Sequence, residues 1–562
     1  MKEYKRLKDP IYGYIEIPMD YMTGIVDSAT FQRLRRIIQT SYSPLYSSAV
    51  HNRFVHSLGV YHLGEIAADS LCNELKLLKD SFSEYISTEI FEEKIEKLRQ
   101  TFLLACLLHD VGHAPFSHTG ESLYLGGPGN TDYTQIHDEL ANAVGMESFK
   151  NDLPTDSNTA APHEIMSAIV GITAFSKFIS SSEERDFFAR CITGYKYTER
   201  TLVASLKNCF ISLLNSKVID VDKLDYLIRD AYITGFNTVS LDYLRLLRAI
   251  TVQGEGTNWQ IGYYKDAISV IENVVYAHDA ERKWIQNHPV VLYECYILNH
   301  IFQHLNNCLN TDTEKLFSYE SLTLDGHELG DGVKVSLLCD DDIVYIMKNV
   351  ELCKSDLTME FFERSKRRHP IWKSEAEYSA LITRVVGGNT SSMDALEHAM
   401  NVIATYLAKT TDNWTVDDNT KVKLEEELQV LQKQSLDSDT RETQIKDKEA
   451  ALKLVKCLID FAEENNLSHD FVIIEASQFS SGFAKPDFSK TPIIFNSSSD
   501  EIIETDFETV AKPLQPNQQG RKKFYYLFYR RNDNSEEIDK AKLCERLAGQ
   551  FSTAGTKKRR RS

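Results

Sequence analysis

A group of histidines follows a strongly apolar segment near residue 100. In the run FLLACLLHDVGHAPFSH, the apolar residues 102–108 lead directly into His109, Asp110, His113 and His118. His109 and His113 can share one helix face while Asp110 projects about 100° away, so imidazole and carboxylate converge only on a ligand at the helix end. Divalent metals accept imidazole nitrogen and carboxylate oxygen as donors. A buried histidine satisfied by a carboxylate is the commoner origin of a lone His–Asp pair, but three histidines within ten residues favour a metal or catalytic site.

Two other segments offer further metal donors. The run HNRFVHSLGV contains Arg53 and His56, and the run VIDVDKLDYLIRDAY contains Asp222. In the second run, Asp222, Tyr226 and Asp230 recur every four residues and form a polar stripe on an otherwise apolar helix. Such a stripe fits a solvated face equally well, and it indicates a site only beside the histidine-rich helix. Further His–Asp dipeptides lack a following histidine at matching spacing and are interpreted as incidental: residues 137–138, 278–279 and 469–470.

Composition is typical of a soluble globular protein. The chain has 562 residues, 42% hydrophobic and 26% charged, which allows two or three domains. Its net charge of −19 opposes nonspecific binding to nucleic acid, so an anionic ligand must meet a local cluster of cations. Apolar stretches stay shorter than the ~18 residues of a membrane span, and we expect a cytoplasmic protein without a membrane partner. The ten cysteines occur singly, which predicts reduced packing residues.

Apolar periodicity predicts a mainly α protein. The clearest helical patterns cover residues 55–71, 101–109, 218–233 and 290–305. We also expect a short strand at 12–17, a helix that begins near Asp27, an irregular insertion at 126–160, and short strands after residue 470. The predicted organisation is a core that carries the chemistry (1–330), a helical extension (331–465), a small α+β region (466–550) and a basic tail (551–562).

The order His56, His109–Asp110, Asp222 is the H…HD…D signature of the HD superfamily. Several runs, DPIYGYIEI, FQRLR, HNRFVHSLGV, HDVGHAPFSH and IDVDKLDY, closely resemble those of the SAM-and-HD-domain deoxynucleotide triphosphohydrolases, over most of residues 5–305. The resemblance implies an HD helical bundle in which these four residues hold one divalent metal, such as iron, manganese, magnesium or zinc, with magnesium as a further companion of the triphosphate. It also implies hydrolysis of deoxynucleoside triphosphates to a deoxynucleoside and inorganic triphosphate. We expect the SAM domain to be absent.

The same resemblance implies catalytic roles. His118 is expected to protonate the departing sugar oxygen as general acid, and His113 is its active-site neighbour. Supporting groups lie further along the chain: Glu121, where relatives carry Asp, His163 and Glu164. The nearby pair at 137–138 competes with 163–164, but the apolar run after Glu164 makes 163–170 the better helix.

Substrate contacts are implied in the same way. The matching positions are Gln39, Arg53, Lys223, Tyr226, Asp230 and His288. The two cations would bind phosphates, and the aromatic ring and carboxylate would read the sugar 2′ and 3′ positions. The sequence departs from the family where Thr40 replaces Leu, and where Gln286 replaces the Tyr that lies two residues before the matching histidine.

A regulatory nucleotide site is also implied near the N-terminus. Lys5, Asp27, Gln32 and Arg35 coincide with a guanine-nucleotide site that lies between subunits in the family. This predicts a GTP or dGTP activator and a homo-oligomer, from a dimer to a tetramer or hexamer, with a role in lowering deoxynucleotide pools, such as defence against phage or virus. Asp27 as a helix cap and Arg35 as a surface charge are the alternative interpretation.

Two other functions remain open from the sequence. An HD phosphodiesterase or nuclease could use the same metal centre, and RKKFYYLFYRR interleaves aromatic and basic residues as in single-strand binders. An alternating strand explains that run equally, so nucleic acid is not favoured as a partner. The second alternative is a nucleotide-sensing module that binds without cleaving.

Overall fold

The computed structural model confirms a mainly α protein, 64% helical, with small sheets. It describes residues 3–126, 131–154, 160–217, 219–236, 240–308, 317–330, 333–349, 354–386, 390–409, 414–433, 438–476, 490–496, 502–506, 524–531 and 538–551. The predicted basic tail beyond residue 551 and parts of the insertion at 126–160 lie outside these ranges.

The chain divides into two compact units. The first unit is Met1–Ile285, Asn306–Asn349 and Ser480–Gln519, and the second is Gln286–Leu305, Val350–Phe479 and Gly520–Ser562. Both units are therefore discontinuous in sequence. The predicted domain boundaries at 330, 465 and 550 stay predictions.

Helices form most of both units. In chain order they are α1 Met19–Tyr21, α2 Ala29–Gln32, α3 Arg53–Leu77, α4 Thr88–Leu108, α5 Thr134–Val144, α6 Glu147–Asn151, α7 Pro162–Ala174, α8 Ser182–Thr193, α9 Leu202–Leu214, α10 Val221–Thr234, α11 Tyr243–Arg248, α12 Ile268–Glu281, α13 Pro289–Cys308, α14 Asp340–Asn349, α15 Asp356–Phe362, α16 Glu375–Val386, α17 Thr390–Lys409, α18 Asp418–Lys433, α19 Ser438–Glu464 and α20 Lys540–Phe551. The four strongest helical patterns of the sequence correspond to α3, α4, α10 and α13. In the described part of the chain, the helices are too short or too polar to cross a lipid bilayer.

In the described residues, the strands form four small sheets. They are β1 Tyr4–Asp9, β2 Gly13–Pro18, β3 Ile250–Glu255, β4 Asn258–Tyr264, β5 His327–Gly330, β6 Val333–Val335, β7 His369–Pro370, β8 Val472–Ala476, β9 Pro492–Asn496, β10 Ile502–Asp506 and β11 Phe524–Tyr529. The orders are β1-β2, β10-β9-β4-β3, β5-β6 and β7-β11-β8, and all pairs are antiparallel except β4 with β9. The strands expected after residue 470 therefore divide between two sheets.

The N-terminal region contains the expected strand and the expected helix start near Asp27, together with one further strand. The predicted strand at 12–17 corresponds to β2. It pairs with β1, a strand whose side chains are mostly exposed and which was not predicted. The next helix is capped by Ser28, whose hydroxyl accepts from Phe31 N, so the cap lies one residue after Asp27. A hydroxyl or carboxylate at this position satisfies a free helix amide, and either residue type gives the same sequence signal.

Three packed helices of the first unit bring together distant parts of the chain. α3 packs against both α4 and α10. The C-terminal half of α4 is buried along its whole run from Thr101 to Leu108, as its unbroken apolar sequence predicts. This arrangement places the first turns of α3 and α10 beside the end of α4.

Candidate metal centre and active site

Each predicted metal donor lies at a helix end. Asn52 caps α3 by accepting from Val55 N, and His56 projects inward from the first turn. His109 and Asp110 follow the last turn of α4 and are buried. Asp220 caps α10 by accepting from Lys223 N and places Asp222 in its first turn. Helix ends carry free backbone groups that caps must satisfy, so these caps fix the direction of the donors.

The donor atoms of His56, His109 and Asp222 converge. His56 Nε2 lies 2.9 Å from Asp222 Oδ1 and 3.3 Å from His109 Nε2, and His109 Nε2 lies 3.6 Å from Asp222 Oδ1. The Asp110 carboxylate borders them, 3.4 Å from His109 Nε2 and 3.7 Å from His56 Nε2. Donors that share one ion at about 2.0–2.2 Å lie about 3 to 3.5 Å apart. The spacing therefore suits ligands around a single ion.

The outer nitrogens of both imidazoles support this assignment. His109 Nδ1 lies 2.9 Å from the Cys106 carbonyl oxygen, and His56 Nδ1 lies 2.7 Å from Asp225 Oδ2. These acceptors hold a proton on each Nδ1, so in the neutral rings the two Nε2 lone pairs face each other and Asp222. At these distances a proton or a metal ion must lie between the three groups. The residues present thus fit a divalent metal.

Electrostatics draws positive charge to the same point. Burial lowers the pKa of His56, but the hydrogen-bonded carboxylates of Asp222 and Asp225 outweigh burial and raise it to about 10. Burial likewise opposes ionisation of Asp110, whereas Arg53, His109 and His113 hold the pKa of its carboxyl well below the usual range. The carboxylates therefore stay ionised and available to a cation.

A second cluster adjoins the first on the segment after α4. His118 Nδ1 lies 2.5 Å and His163 Nδ1 lies 2.9 Å from Glu121 Oε1. The rings of His113 and His163 stack with centroids 4.1 Å apart. His113 Nε2 lies 3.3 Å from Asp110 Oδ1, which joins the two clusters. The structure thus brings together four of the five residues predicted for catalysis.

Exposure and charge divide the roles within this second cluster. His118 is 68% exposed, whereas Glu121 and His163 are largely buried. Burial lowers the pKa of His163, but Glu121 raises it to about 9, and the histidines in turn hold the pKa of Glu121 well below its usual range. Glu121 is thus an ionised anchor that orients His118 toward solvent.

Glu164, the fifth residue, is occupied by helix capping. Its Oε2 accepts from Ala161 N at 2.7 Å, and its Oε1 accepts from Asn215 Nδ2 at 2.8 Å. These bonds fix the start of α7, from which His163 projects. A catalytic role for Glu164 stays a prediction.

The predicted phosphate-binding cations are both engaged. Arg53 is buried and donates to Asp110 Oδ2 at 2.9 Å, Ser117 Oγ at 2.9 Å and the Gln39 carbonyl at 3.1 Å. Lys223 Nζ donates to Asp220 Oδ2 at 2.7 Å and to the Ser216 carbonyl at 2.8 Å. Arg53 therefore also positions Asp110, which the sequence did not indicate.

The predicted sugar-binding residues lie on the expected faces. Tyr226 and Asp230 share one face of α10 with Asp222. Asp230 is buried, with its Oδ1 2.7 Å from His51 Nε2. Gln39 pairs through its backbone N–H with the His51 carbonyl, and its buried side-chain oxygen has no hydrogen-bond partner among the residues that the structure describes. His288 lies in the second unit, and its role stays a prediction.

The sequence analysis missed a buried network behind the metal donors. Asp225 accepts from Tyr12 OH at 2.8 Å and from Arg229 Nε at 2.9 Å, in addition to its contact with His56. Arg229 NH1 also donates to Asp9 Oδ2 at 3.1 Å. The sequence feature that could have predicted this network is Asp225, three residues after Asp222, since metal-bound histidines commonly donate their other N–H to a carboxylate.

The four residues expected to bind a regulatory nucleotide lie in the N-terminal region of the first unit. Lys5 and Asp27 are exposed. Gln32 Oε1 accepts from Arg35 Nε at 2.8 Å, and the Arg35 guanidinium lies over the Phe54 ring at 3.5 Å. A regulatory role for them stays a prediction.

Comparison with known proteins identifies part of the chain. Residues 53–168 match the family model of the HD domain. Over 254 residues, 44% of this chain, the sequence is 31% identical to the "Deoxynucleoside triphosphate triphosphohydrolase SAMHD1 homolog" of Dictyostelium discoideum, and the match covers 39% of that protein.

Two other relatives show the same range of similarity. The "Deoxynucleoside triphosphate triphosphohydrolase SAMHD1" of Xenopus laevis is 29% identical over 268 residues, 46% of this chain and 38% of that protein. The "Uncharacterized protein MG461 homolog" of Mycoplasma pneumoniae is 27% identical over 269 residues, 47% of this chain and 52% of that protein. The chain thus spans about half or less of the length of these curated relatives.

Proposed function

Because residues 53–168 match the family model of the HD domain, we propose that this protein is a metal-dependent phosphohydrolase that cleaves deoxynucleoside triphosphates into a deoxynucleoside and inorganic triphosphate. The supporting observation is the contact between the two clusters. Asp110 borders His109 on one side and His113 on the other, so the proposed metal donors lie next to the proposed proton-transfer residues. The substrate class is taken from the names of the relatives.

His56, His109, Asp110 and Asp222 would hold the metal. When bound, a divalent ion supplies Lewis acidity, which activates water near neutral pH and polarises a phosphoryl oxygen. The protein contributes the direction of the donors, because Asp225 and the Cys106 carbonyl fix the imidazole tautomers. Since both supporting contacts are buried, the donor geometry is largely set before substrate arrives.

His118 is the proposed general acid. Its Nδ1 contacts Glu121, which leaves Nε2 as the nitrogen that can pass a proton to the departing sugar oxygen. The ionised Glu121 holds the orientation of the His118 ring. The rings of His163 and His113 pack against the ring of His118 and restrict its movement.

Phosphate and sugar binding are assigned to the residues around the two clusters. Lys223 is the proposed phosphate ligand, and binding requires its ammonium to exchange one contact with Asp220 for a phosphate oxygen. Arg53 contributes its charge from behind Asp110. Tyr226, Asp230 and Gln39 would surround the sugar.

Regulation by GTP or dGTP and assembly into a homo-oligomer are part of the proposal, on the resemblance alone. Lys5 and Asp27 are exposed and open to a ligand. For Gln32 to bind a base, it must release Arg35.

A metal-by-nucleotide matrix with product analysis tests the proposed function, with and without added GTP. We expect inorganic triphosphate from dGTP, and Asp110→Ala should abolish both bound metal and turnover. Asp279→Ala, in a His–Asp dipeptide outside the donor group, is the matched control and should retain both. Shortening of labelled single-stranded DNA without triphosphate release would instead identify a nuclease, and dGTP binding without turnover a sensing module.

A further inference from the structure

Residues 338–340 reach the active site from far outside the HD match. Asp340, at the start of α14, accepts from Phe116 N through Oδ1 at 2.7 Å and from Ile38 N through Oδ2 at 2.9 Å. Phe116 belongs to the segment that carries His113 and His118, and Ile38 precedes the predicted sugar ligand Gln39. One carboxylate thus joins the two segments that border the proposed substrate site.

The segment held by Asp340 has an unusual backbone. Phe116 and Ser117 have φ angles of 59° and 55°, in the left-handed region that residues with bulky side chains rarely adopt. Such conformations persist only where surrounding contacts enforce them, and they cluster at functional sites. Here Phe116 N binds Asp340, while Ser117 Oγ binds the Ile38 carbonyl and accepts from Arg53 Nε.

Arg33 extends the same support. Its buried guanidinium donates to the carbonyls of Leu338 at 2.8 Å, Val111 at 2.8 Å and His113 at 3.0 Å. The chain around residue 338 is thereby fixed to the segment between the two histidine clusters. Asp340 reaches Phe116 from a backbone that is itself anchored beside His113.

The Asp340 side chain is half-buried and its ionisation is disfavoured, which argues that its geometry matters. Burial raises the pKa of Asp340 to about 7, although the N–H groups of Ile38 and Phe116 and the charge of Arg33 act in the opposite direction. Asparagine of the same shape would avoid burying a charge. Its side chain offers one oxygen, however, and cannot accept from two N–H groups that approach opposite oxygens.

We propose that Asp340 is a positioning residue for the active site, which locks the Phe116–Ser117 turn to Ile38 and thereby orients His118 and His113 for the proton transfer. Its catalytic consequence rests on the function proposed above, but its effect on the backbone does not. The HD domain would then be completed by a residue that lies beyond its matched sequence.

Asp340→Asn in the full-length, metal-loaded protein tests the proposal, with Asp341→Asn as the matched control. Asp341 is the exposed neighbour that pairs with Arg36, so the control removes the same charge one residue away. Hydrogen–deuterium exchange should become at least about fivefold faster in the peptide that contains Phe116 of the Asp340 variant, because one hydrogen bond is lost. The control should exchange like the wild type.

Kinetics and metal content separate positioning from a general structural role. In Asp340→Asn we expect kcat for dGTP to fall about 10- to 100-fold with KM within about threefold, as for a small misplacement of a catalytic group. Bound metal per chain should match the wild type, because the four donors are untouched. Loss of metal together with kcat would overturn the proposal, since it would indicate a collapsed site.

Two further results keep the proposal independent of folding and of substrate. If Asp340→Asn does not fold, Asp340→Glu is the second variant, because it keeps both carboxylate oxygens on a longer side chain. Hydrogen–deuterium exchange at Phe116 should again be faster than in the wild type, by a smaller factor. The control Asp341→Glu should exchange like the wild type. If the wild type hydrolyses no nucleotide, the proposed function fails while exchange at Phe116 still decides the role of Asp340. Wild-type exchange at Phe116 in both Asp340 variants refutes it.

Discussion

The carboxylate behind His56 offers the sharpest test of the metal centre. Asp225 is fully buried and receives hydrogen bonds from four donors: His56 Nδ1 at 2.7 Å, Tyr12 OH at 2.8 Å, and Arg229 Nε and NH2 at 2.9 Å each. Asp225→Asn keeps the size of the side chain but removes its charge and one acceptor. The His56 proton then meets at best a neutral oxygen, so Nε2 becomes a weaker donor to a metal.

The expected magnitudes follow from these contacts. Loss of such a supporting carboxylate typically weakens metal binding about 10- to 100-fold, which corresponds to about 1.4–2.7 kcal/mol. Removing one partner of a buried ion pair costs about 3–5 kcal/mol of folding free energy. Arg229 keeps Asp9 at 3.1 Å as a second partner, so we expect the lower end, about 3 kcal/mol.

Tyr12→Phe is the matched control for this prediction. It deletes one hydrogen bond to Asp225 but leaves the contacts with His56 and Arg229, so metal affinity should stay within about threefold of the wild type. Metal affinity is measured by competition with a chromophoric chelator, and stability by denaturant unfolding of the metal-free proteins. Wild-type affinity in Asp225→Asn, or equal losses in the two variants, would refute the assignment of Asp225 as the group that fixes His56.

Three further predictions concern the same region. In Gly59→Ala, the new Cβ would lie 1.9 Å from Asp225 Oδ1, so calorimetry should show a loss of about 1–3 kcal/mol of stability, and unchanged melting would contradict the contact. Glu121 raises the pKa of His163 to about 9, above its unfolded value of 6.5, so this pair stabilises the fold below pH 6.5 and loses its contribution as pH rises through 9. Melting temperatures of Glu121→Gln across that range should therefore fall less steeply than those of the wild type, and parallel curves would argue against the pair. Arg53→Lys cannot reproduce the contacts to Asp110, Ser117 and Gln39, and we expect about 1.5–3 kcal/mol of destabilisation by denaturant unfolding, where no change would show that the guanidinium fork is dispensable.

Local patterns carried most of the information about the fold and the donors. The unbroken apolar run before His109 predicts a buried helix, and the structure has α4 there. The four-residue spacing of Asp222, Tyr226 and Asp230 places them on one face of α10. These features depend only on helical geometry, so the spacing of residues in the sequence is enough to predict them.

Long-range pairings account for what the sequence could not indicate. β1 exposes most of its side chains, so it lacks the alternation that marks a half-buried strand, and only its pairing with β2 defines it. His51 binds Asp230 across 179 positions of the chain, and Asp340 binds Phe116 across 224. Each of these residues is unremarkable among its sequence neighbours, and its function depends on the partner that folding supplies.

The charges around the donor group bear on which substrates it can accept. Arg53 neutralises Asp110 and Arg229 neutralises Asp225, whereas Asp222 Oδ1 contacts the imidazoles of His56 and His109. Arg229 also pairs with Asp9, so the carboxylates carry about two negative charges beyond those that the two arginines balance, and a divalent cation held by these residues would bring the centre close to neutral. A centre close to neutral would repel a polyanion such as the proposed triphosphate less than its surroundings do, on a chain that carries a net charge of −19. Replacement of either arginine by a neutral residue would leave the centre negative even with the cation bound, so we expect it to weaken binding of an anionic substrate as well as the fold.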